Sequence, residues 1–408
     1  MRLTATDRAG LERSIDDRCA PDRSIVLRYA RAVRLCDDAG EDAEVKAGLE
    51  RNSLDEGARI LPLLEYRGVE VSVLDETSLM STGTLKAVDG CLTASLLQAS
   101  GATRVAFESG GNTGAALTAY GQRAGIETFF FCPNENLDLL DSQLFRARTA
   151  HLIGVQDRHR VKELAACFAS MAGIQRVPLR EWRLGASLFR GLFLLEQLWQ
   201  GRSYDWLAQT VSAGFGPIGI YRVLRAFKDE LGPLPRFLGV QQAANAPVYR
   251  AWQGAPAGEA RPAESGGPDR LLSRVMYDAV PQTYGTVEDL LAVVHSTRGE
   301  VLTVDEGEFD HHVVRPQERE PVVLLLEEKR IRITQRGGAI VDKTGLIALA
   351  GALKAVDTGV IAPGSRVLCC LTSGVSGMDG QAEPEVVVRG EADVLRYAEE
   401  FAGGSRDG

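Results

Sequence analysis

The chain has 408 residues, 46 Lys and Arg against 55 Asp and Glu for a net charge of −9, and 45% hydrophobic residues. That length accommodates about two domains, and the composition is that of a globular protein able to bury a core. No run approaches the ~18 apolar residues of a membrane span, the start lacks the apolar stretch of a secretory signal, and an acidic balance without a basic run argues against nucleic acid as a partner.

From about residue 60, short β-rich runs alternate with helical segments, the pattern of an α/β protein with mostly parallel sheets covered on both faces. Strands are predicted at 69–75, 104–107, 127–132, 208–213, 236–241, 300–305 and 366–371. Between the second and third, apolar residues at Ala115, Ala116, Leu117, Ala119 and Tyr120 predict a helix that Gly125 ends. Further helices are predicted at Gly219–Leu231 and Thr344–Val356. The Pro- and Gly-rich run 254–269 reads as a surface loop, and the acidic stretch from about Gly380 as a frayed tail. The first 55 residues are charged and give no clear pattern. Seven cysteines without C-x-x-C spacing imply reduced thiols in a cytoplasmic compartment. The five histidines show no metal-binding spacing, and His311 and His312 read as solvated residues of an acidic stretch.

Four segments carry chemistry. In STGTLKAVDG, Lys86 follows a turn-forming run and precedes an apolar helix, a setting in which a desolvated amine becomes a nucleophile toward aldehydes. In ESGGNTGAAL, a strand gives way to Gly110, Gly111 and a helix opening at Asn112, which presents N–H groups to an anion. Its glycines do not fit G-x-G-x-x-G, so a dinucleotide fingerprint fails. In VSAGFGPIGIYR, Gly214, Gly216 and Gly219 surround a turn into a helix, a phosphate cradle without the G-K-[ST] of a nucleotide loop. In CCLTSGVSG, Thr372 and Ser373 close a strand where parallel sheets bind ligands.

The order lysine, Gly-Gly-Asn-Thr, phosphate-type loop, strand-end Thr/Ser resembles the pyridoxal-phosphate enzymes of fold type II, within them the threonine synthase-like branch. SLDEGARILPLLE resembles the lead-in to that branch's first strand, and DETSLMSTGTLK its E-x-x-N-P-T-G-S-F-K motif. SGGNTGAALTAYGQRAG is similar to S-S-G-N-T-A-A-A-x-A-A-Y-A, LGVQQAANAPVYRAW to a strand with A-x-x-A-P-L, and VDKTGLIALAGAL to E-P-A-x-A-A-A-L-A-G-L. The resemblance spans roughly residues 53–378. It implies a large cofactor domain of residues 56–91 plus 188–380, a small Rossmann-like domain of 92–187, an N-terminal extension of 1–55 and a tail of 381–408.

Carried over residue by residue, the resemblance makes Lys86 the lysine of the internal aldimine and the proton shuttle. Asn112 bonds the cofactor's 3-oxygen, and Gly214, Phe215, Gly216, Pro217, Ile218 and Gly219 hold its phosphate. Thr372, or failing that Ser373, faces the pyridine nitrogen. Thr82, Ser109, Gly110, Gly111 and Thr113 meet the substrate, an amino acid, and a homodimer is implied. A hydroxyl at the ring nitrogen makes a weaker electron sink than a carboxylate, favouring elimination and replacement over transamination.

Three departures stand out. Ala87-Val88-Asp89 follows Lys86 where the family commonly shows Lys-Asp-Arg, Met80-Ser81 replaces Asn-Pro, and T-S-G-V-S-G replaces T-G-H-G-L-K, which removes a His and a Lys. PVYRAWQGAPAG and RVMYDAVPQTYGTVEDLL are similar to the cysteate synthase offshoot. The expected activity is β-replacement or β-elimination on an O-phospho amino acid, with threonine synthase as the alternative. A nucleotide-dependent oxidoreductase would leave Lys86 and Thr372 without roles. A catalytically silent cofactor or amino-acid binder is the reading from another class.

Overall fold

The computed structural model describes residues 1–177, 179–254, 271–277, 286–374 and 382–404. Most of the predicted 254–269 loop and the 405–408 end of the tail lie outside them. The chain divides into two compact units, Met1–Arg34, Asp55–Leu85 and Arg183–Val375 against Leu35–Leu54, Lys86–Trp182 and Ser376–Gly408. Both are α/β with parallel-dominated sheets.

The first unit is built on a six-stranded sheet in the order Glu300–Val304, Arg236–Gln242, Trp206–Thr210, Arg366–Leu371, Val69–Asp75 and Arg59–Tyr66. Only the last pair is antiparallel, closed by a tight turn in which Arg67 and Gly68 take φ of 49° and 76°. The central strands are apolar on both faces because helices cover both, and the helix Thr344–Asp357 contributes Leu346, Ile347, Leu349 and Leu353 to that core.

The N-terminal residues are no loose extension. Arg28 donates to Glu196 from Nε at 2.9 Å and Nη2 at 2.5 Å, and the Tyr29 hydroxyl donates to the same carboxylate at 2.5 Å. Burial pushes the Glu196 carboxyl up, yet these donors outweigh it and hold it below its ordinary value. Residues 35–54, mostly the helix Ala39–Asn52, belong to the other unit, where Asn52 Nδ2 donates to Ser95 Oγ at 3.2 Å.

The second unit holds a five-stranded, wholly parallel sheet, Val386–Val388, Ala150–Val155, Glu127–Pro133, Arg104–Glu108 and Gln175–Arg176. The acidic C-terminal stretch, expected to fray, supplies its edge strand and the helix Glu391–Gly404, whose Val394 and Ala398 enter the core beside Phe129 and Phe168. His151 ties this segment in, with Nδ1 2.9 Å from Glu385 Oε1 and Nε2 3.1 Å from Glu127 Oε1.

Burial alone would lower the His151 pKa, but Glu385 and Glu127 together raise it above the ordinary value. A raised folded-state value favours the imidazolium in the native state. Its stabilisation is complete below the ordinary pKa of about 6.5 and is lost as pH climbs through the folded value. Hydrogen exchange at Ala150–Val155 and Val386–Val388 should therefore quicken over that rise. His151→Phe should remove the dependence, and an unchanged profile in that variant would refute the assignment.

Two boundaries differ from expectation. The strand predicted at 208–213 spans Trp206–Thr210, and the following helix begins at Phe215, four residues before the predicted Gly219. Gly214, at φ 76°, makes the turn, and Pro217 is tolerated in the first helical turn, where its missing N–H has no intrahelical partner to lose. All seven cysteines are free thiols, and no helix of the described residues is long and apolar enough to cross a membrane.

Candidate active site

In the first unit, three neighbouring parallel strands run out at the same end of the sheet. Cys370 pairs with Gln209 on one side and Leu371 with Asp75 on the other. Their exits therefore set Glu76, Thr372 and the 211–214 loop side by side, the position at which open α/β sheets bind ligands. The Leu85 N–H donates to the Thr372 carbonyl at 3.0 Å and Thr84 bridges Ser373, so the turn before Lys86 is pinned to this edge.

The two strand-end hydroxyls differ. Ser373 Oγ donates to Asp342 Oδ2, a buried carboxylate that also accepts from the Thr344 N–H at 2.9 Å. Thr372 is 6% exposed and its hydroxyl has no hydrogen-bond partner among the described residues. Thr82 Oγ1 is likewise buried without one. Gly374 stands where the family has its His, while Gly377, at the position of its Lys, lies outside the described residues.

The glycine loop opens the helix Phe215–Ala226 with Gly214 as its cap and no acidic residue in its first turn, so its end amides face an anion unopposed. Beneath it runs the helix Leu179–Trp199. A Cβ on Gly219 would overlap the Ser187 side chain, and one on Gly191 would lie 2.7 Å from Val223 Cγ2, so glycine lets the helices touch. A Cβ on Gly216 would collide with Arg190 Nη1 and lie 2.6 Å from Gln209 Nε2. No motif pointed to Arg190. The only trace in the sequence is an arginine among Phe189, Leu192 and Phe193.

In the second unit, Lys86 opens the helix Lys86–Ala99, and its Nζ lies 2.8 Å from Asp89 Oδ2. Asp89 is 4% exposed. The i,i+3 spacing that puts both on one helix face is readable in the sequence. After Arg104–Glu108, Gly111 takes φ 154° and ψ −90°, a conformation open to glycine, and caps the helix Asn112–Ala124. Ser109 Oγ accepts from the Gly111 N–H at 3.1 Å, and the Gly110 carbonyl accepts from Asn136 Nδ2 at 2.7 Å. Asn112 and the buried Thr113 begin that helix.

His311, His312 and Asp357 bring one ligand atom each within 4.8 Å of one another. Only His311 is solvated as expected; His312 is buried, and burial lowers its pKa. Asp357 is already engaged by Arg67 at 2.8 Å and by the Tyr66 hydroxyl at 2.9 Å.

The family described as pyridoxal-phosphate dependent enzyme matches residues 58–325. The chain belongs to that family. It is 25% identical to the threonine synthase of Methanosarcina acetivorans over 351 residues, 82% of this chain and 79% of that one. It is 23% identical to the cysteate synthase of Methanosarcina mazei over 338 residues, 77% and 75% of the two chains. The fold is also that of the diaminopropionate ammonia lyase of Escherichia coli, with a TM-score of 0.58 at 13% identity over 89% of this chain and 92% of that one.

The cofactor of this pyridoxal-phosphate enzyme is accordingly pyridoxal 5'-phosphate, and the residues present fit it. An amide-rich helix end with no acidic residue in its first turn suits the phosphate. The buried Thr372 hydroxyl, without a partner among the described residues, suits a polar ring atom.

Proposed function

We propose that this enzyme carries out β-replacement or β-elimination on an O-activated amino acid, specifically an O-phospho amino acid, in the manner of cysteate synthase. The observation that carries this is the strand-end position of Thr372, a buried residue whose hydroxyl has no hydrogen-bond partner among the described residues, where a strongly delocalising enzyme would hold a carboxylate.

Pyridoxal phosphate, when bound, supplies an electron sink for the bond broken at the substrate's α-carbon. When the cofactor is bound, amide N–H groups of the Gly214–Gly219 loop, other than that of Pro217, which has none, would hold its phosphate, and Asn112 would hydrogen-bond the ring's 3-oxygen. Thr372 would meet the ring nitrogen. Ser373 is the weaker candidate because its proton is directed to Asp342. Amides and hydroxyls of Ser109, Gly110, Gly111 and Thr113 take the substrate carboxylate, with Thr82 a further hydroxyl toward it. Lys86 Nζ removes the α-proton, and Asp89 Oδ2 holds that nitrogen in place while it is charged. With a weak sink, a good leaving group must depart promptly, which favours a phosphate ester over a free hydroxyl.

Threonine synthase is the second reading, supported by the relative at 25% identity. The test is release of phosphate, ammonia and 2-oxo acid from O-phosphoserine, O-phosphohomoserine and serine, with and without sulfite. O-phosphoserine should react at least about tenfold faster than either alternative. Efficient conversion of O-phosphohomoserine to threonine would overturn the proposal in favour of the second reading. Cofactor binding without turnover of any substrate would leave a silent binder.

A further inference from the structure

The phosphate loop has no lysine or arginine of its own between Val211 and Gly219. A cofactor phosphate carries roughly −1.5 to −2 charges. A helix end supplies only about half a positive charge. The Arg190 guanidinium lies directly under Gly216, with Nη1 the nitrogen nearest the position a Cβ would take.

Its fork is fixed from the other side. Nε donates to Glu76 Oε1 at 2.5 Å, and Nη2 donates to Glu76 Oε2 at 2.6 Å and to Gln209 Oε1 at 3.0 Å. Both charged side chains are 1% exposed. Glu76 itself is anchored at the strand exit, its N–H donating to the Leu371 carbonyl at 3.1 Å, one residue before Thr372. Thus one buried triad joins the ring-nitrogen edge to the floor of the glycine loop. Desolvated charges act strongly over such short distances.

We infer that Arg190 is the phosphate's counter-charge, acting through the loop as a positioning residue, and that Glu76 both holds it and tempers its field. The inference rests on the reading of Gly214–Gly219 as the phosphate site. It explains how this loop selects a phosphorylated ligand without a motif lysine.

The measurement is the ratio of affinities for pyridoxal 5'-phosphate and for pyridoxal, titrated into the full chain freed of cofactor and followed by absorbance, with 31P chemical shift as a second readout. Glu76→Gln keeps the side chain's size and one acceptor for the guanidinium and removes the tempering charge. It should raise the phosphate preference about threefold to tenfold and leave pyridoxal affinity unchanged. Adding Arg190→Met to that variant should lower the preference at least about tenfold below it. Arg190→Lys, which keeps the charge, should retain most of it. If Glu76→Gln changes both ligands in parallel at the wild-type ratio, the triad is only structural and the inference is wrong. If the wild-type chain itself shows no preference for the phosphorylated form, the loop assignment fails first and the inference with it. Glu76→Gln decides the matter even if the double variant does not fold.

Discussion

Lys86→Ala should abolish the covalent attachment of cofactor and lower turnover by at least about a thousandfold. The same change should destabilise the protein, because it strips the buried Asp89 carboxylate of the ammonium held at 2.8 Å. Leaving a buried acceptor without its charged partner costs on the order of 1–3 kcal/mol. Two controls separate chemistry from packing. Lys86→Arg retains a cation for Asp89 but has no amine able to attack an aldehyde, so it should keep most of the stability and none of the attachment. Lys86→Ala combined with Asp89→Asn should recover stability without recovering attachment. Melting temperature and the visible absorbance of the purified variants check both. A Lys86→Arg protein that retains covalent cofactor would contradict the assignment.

Gly216→Asp should weaken cofactor binding by about a hundredfold or more. The new Cβ collides with Arg190 Nη1, beneath a loop packed too tightly to yield, and overpacking of this kind costs about 1–3 kcal/mol. The added carboxylate then has two resting places. Against the loop amides it repels the phosphate; against Arg190 it competes with Glu76 for the guanidinium. Either removes positive potential from the site. Asn112→Ala should cost less, because it deletes one hydrogen bond and leaves the phosphate held. Equal, small losses in a cofactor titration of the two variants would show that this loop is not the phosphate site.

The parts of the site carried by local chain chemistry are legible in the amino-acid sequence. A strand, a glycine turn and a helix opening follow one another within ten residues at Arg104–Thr113, and the same succession recurs around Gly214. Their backbone conformations bear out the glycine requirement at Gly111 and Gly214. What stays hidden is long-range pairing. Arg190 meets Glu76 across 114 residues and Gln209 across 19, and no periodicity encodes a charged fork beneath a loop. Asp342 shows the same limit, since its hold on Ser373 spans 31 residues.

Composition also misleads. The C-terminal stretch is acidic, yet Val394, Tyr397, Ala398 and Phe401 recur at helical spacing and pack on the second sheet, so periodicity is the better guide than charge. The N-terminal 55 residues divide between the two units, so no single periodicity runs through them.

Whether Lys86 is the cofactor lysine of this pyridoxal-phosphate enzyme is tested most directly by borohydride reduction of the cofactor-loaded chain, followed by proteolysis and mass spectrometry. The expected result is a pyridoxyl-phosphate mass increment on the peptide containing Lys86 and on no other lysine. An increment on a different lysine, with Lys86 unmodified, would contradict it.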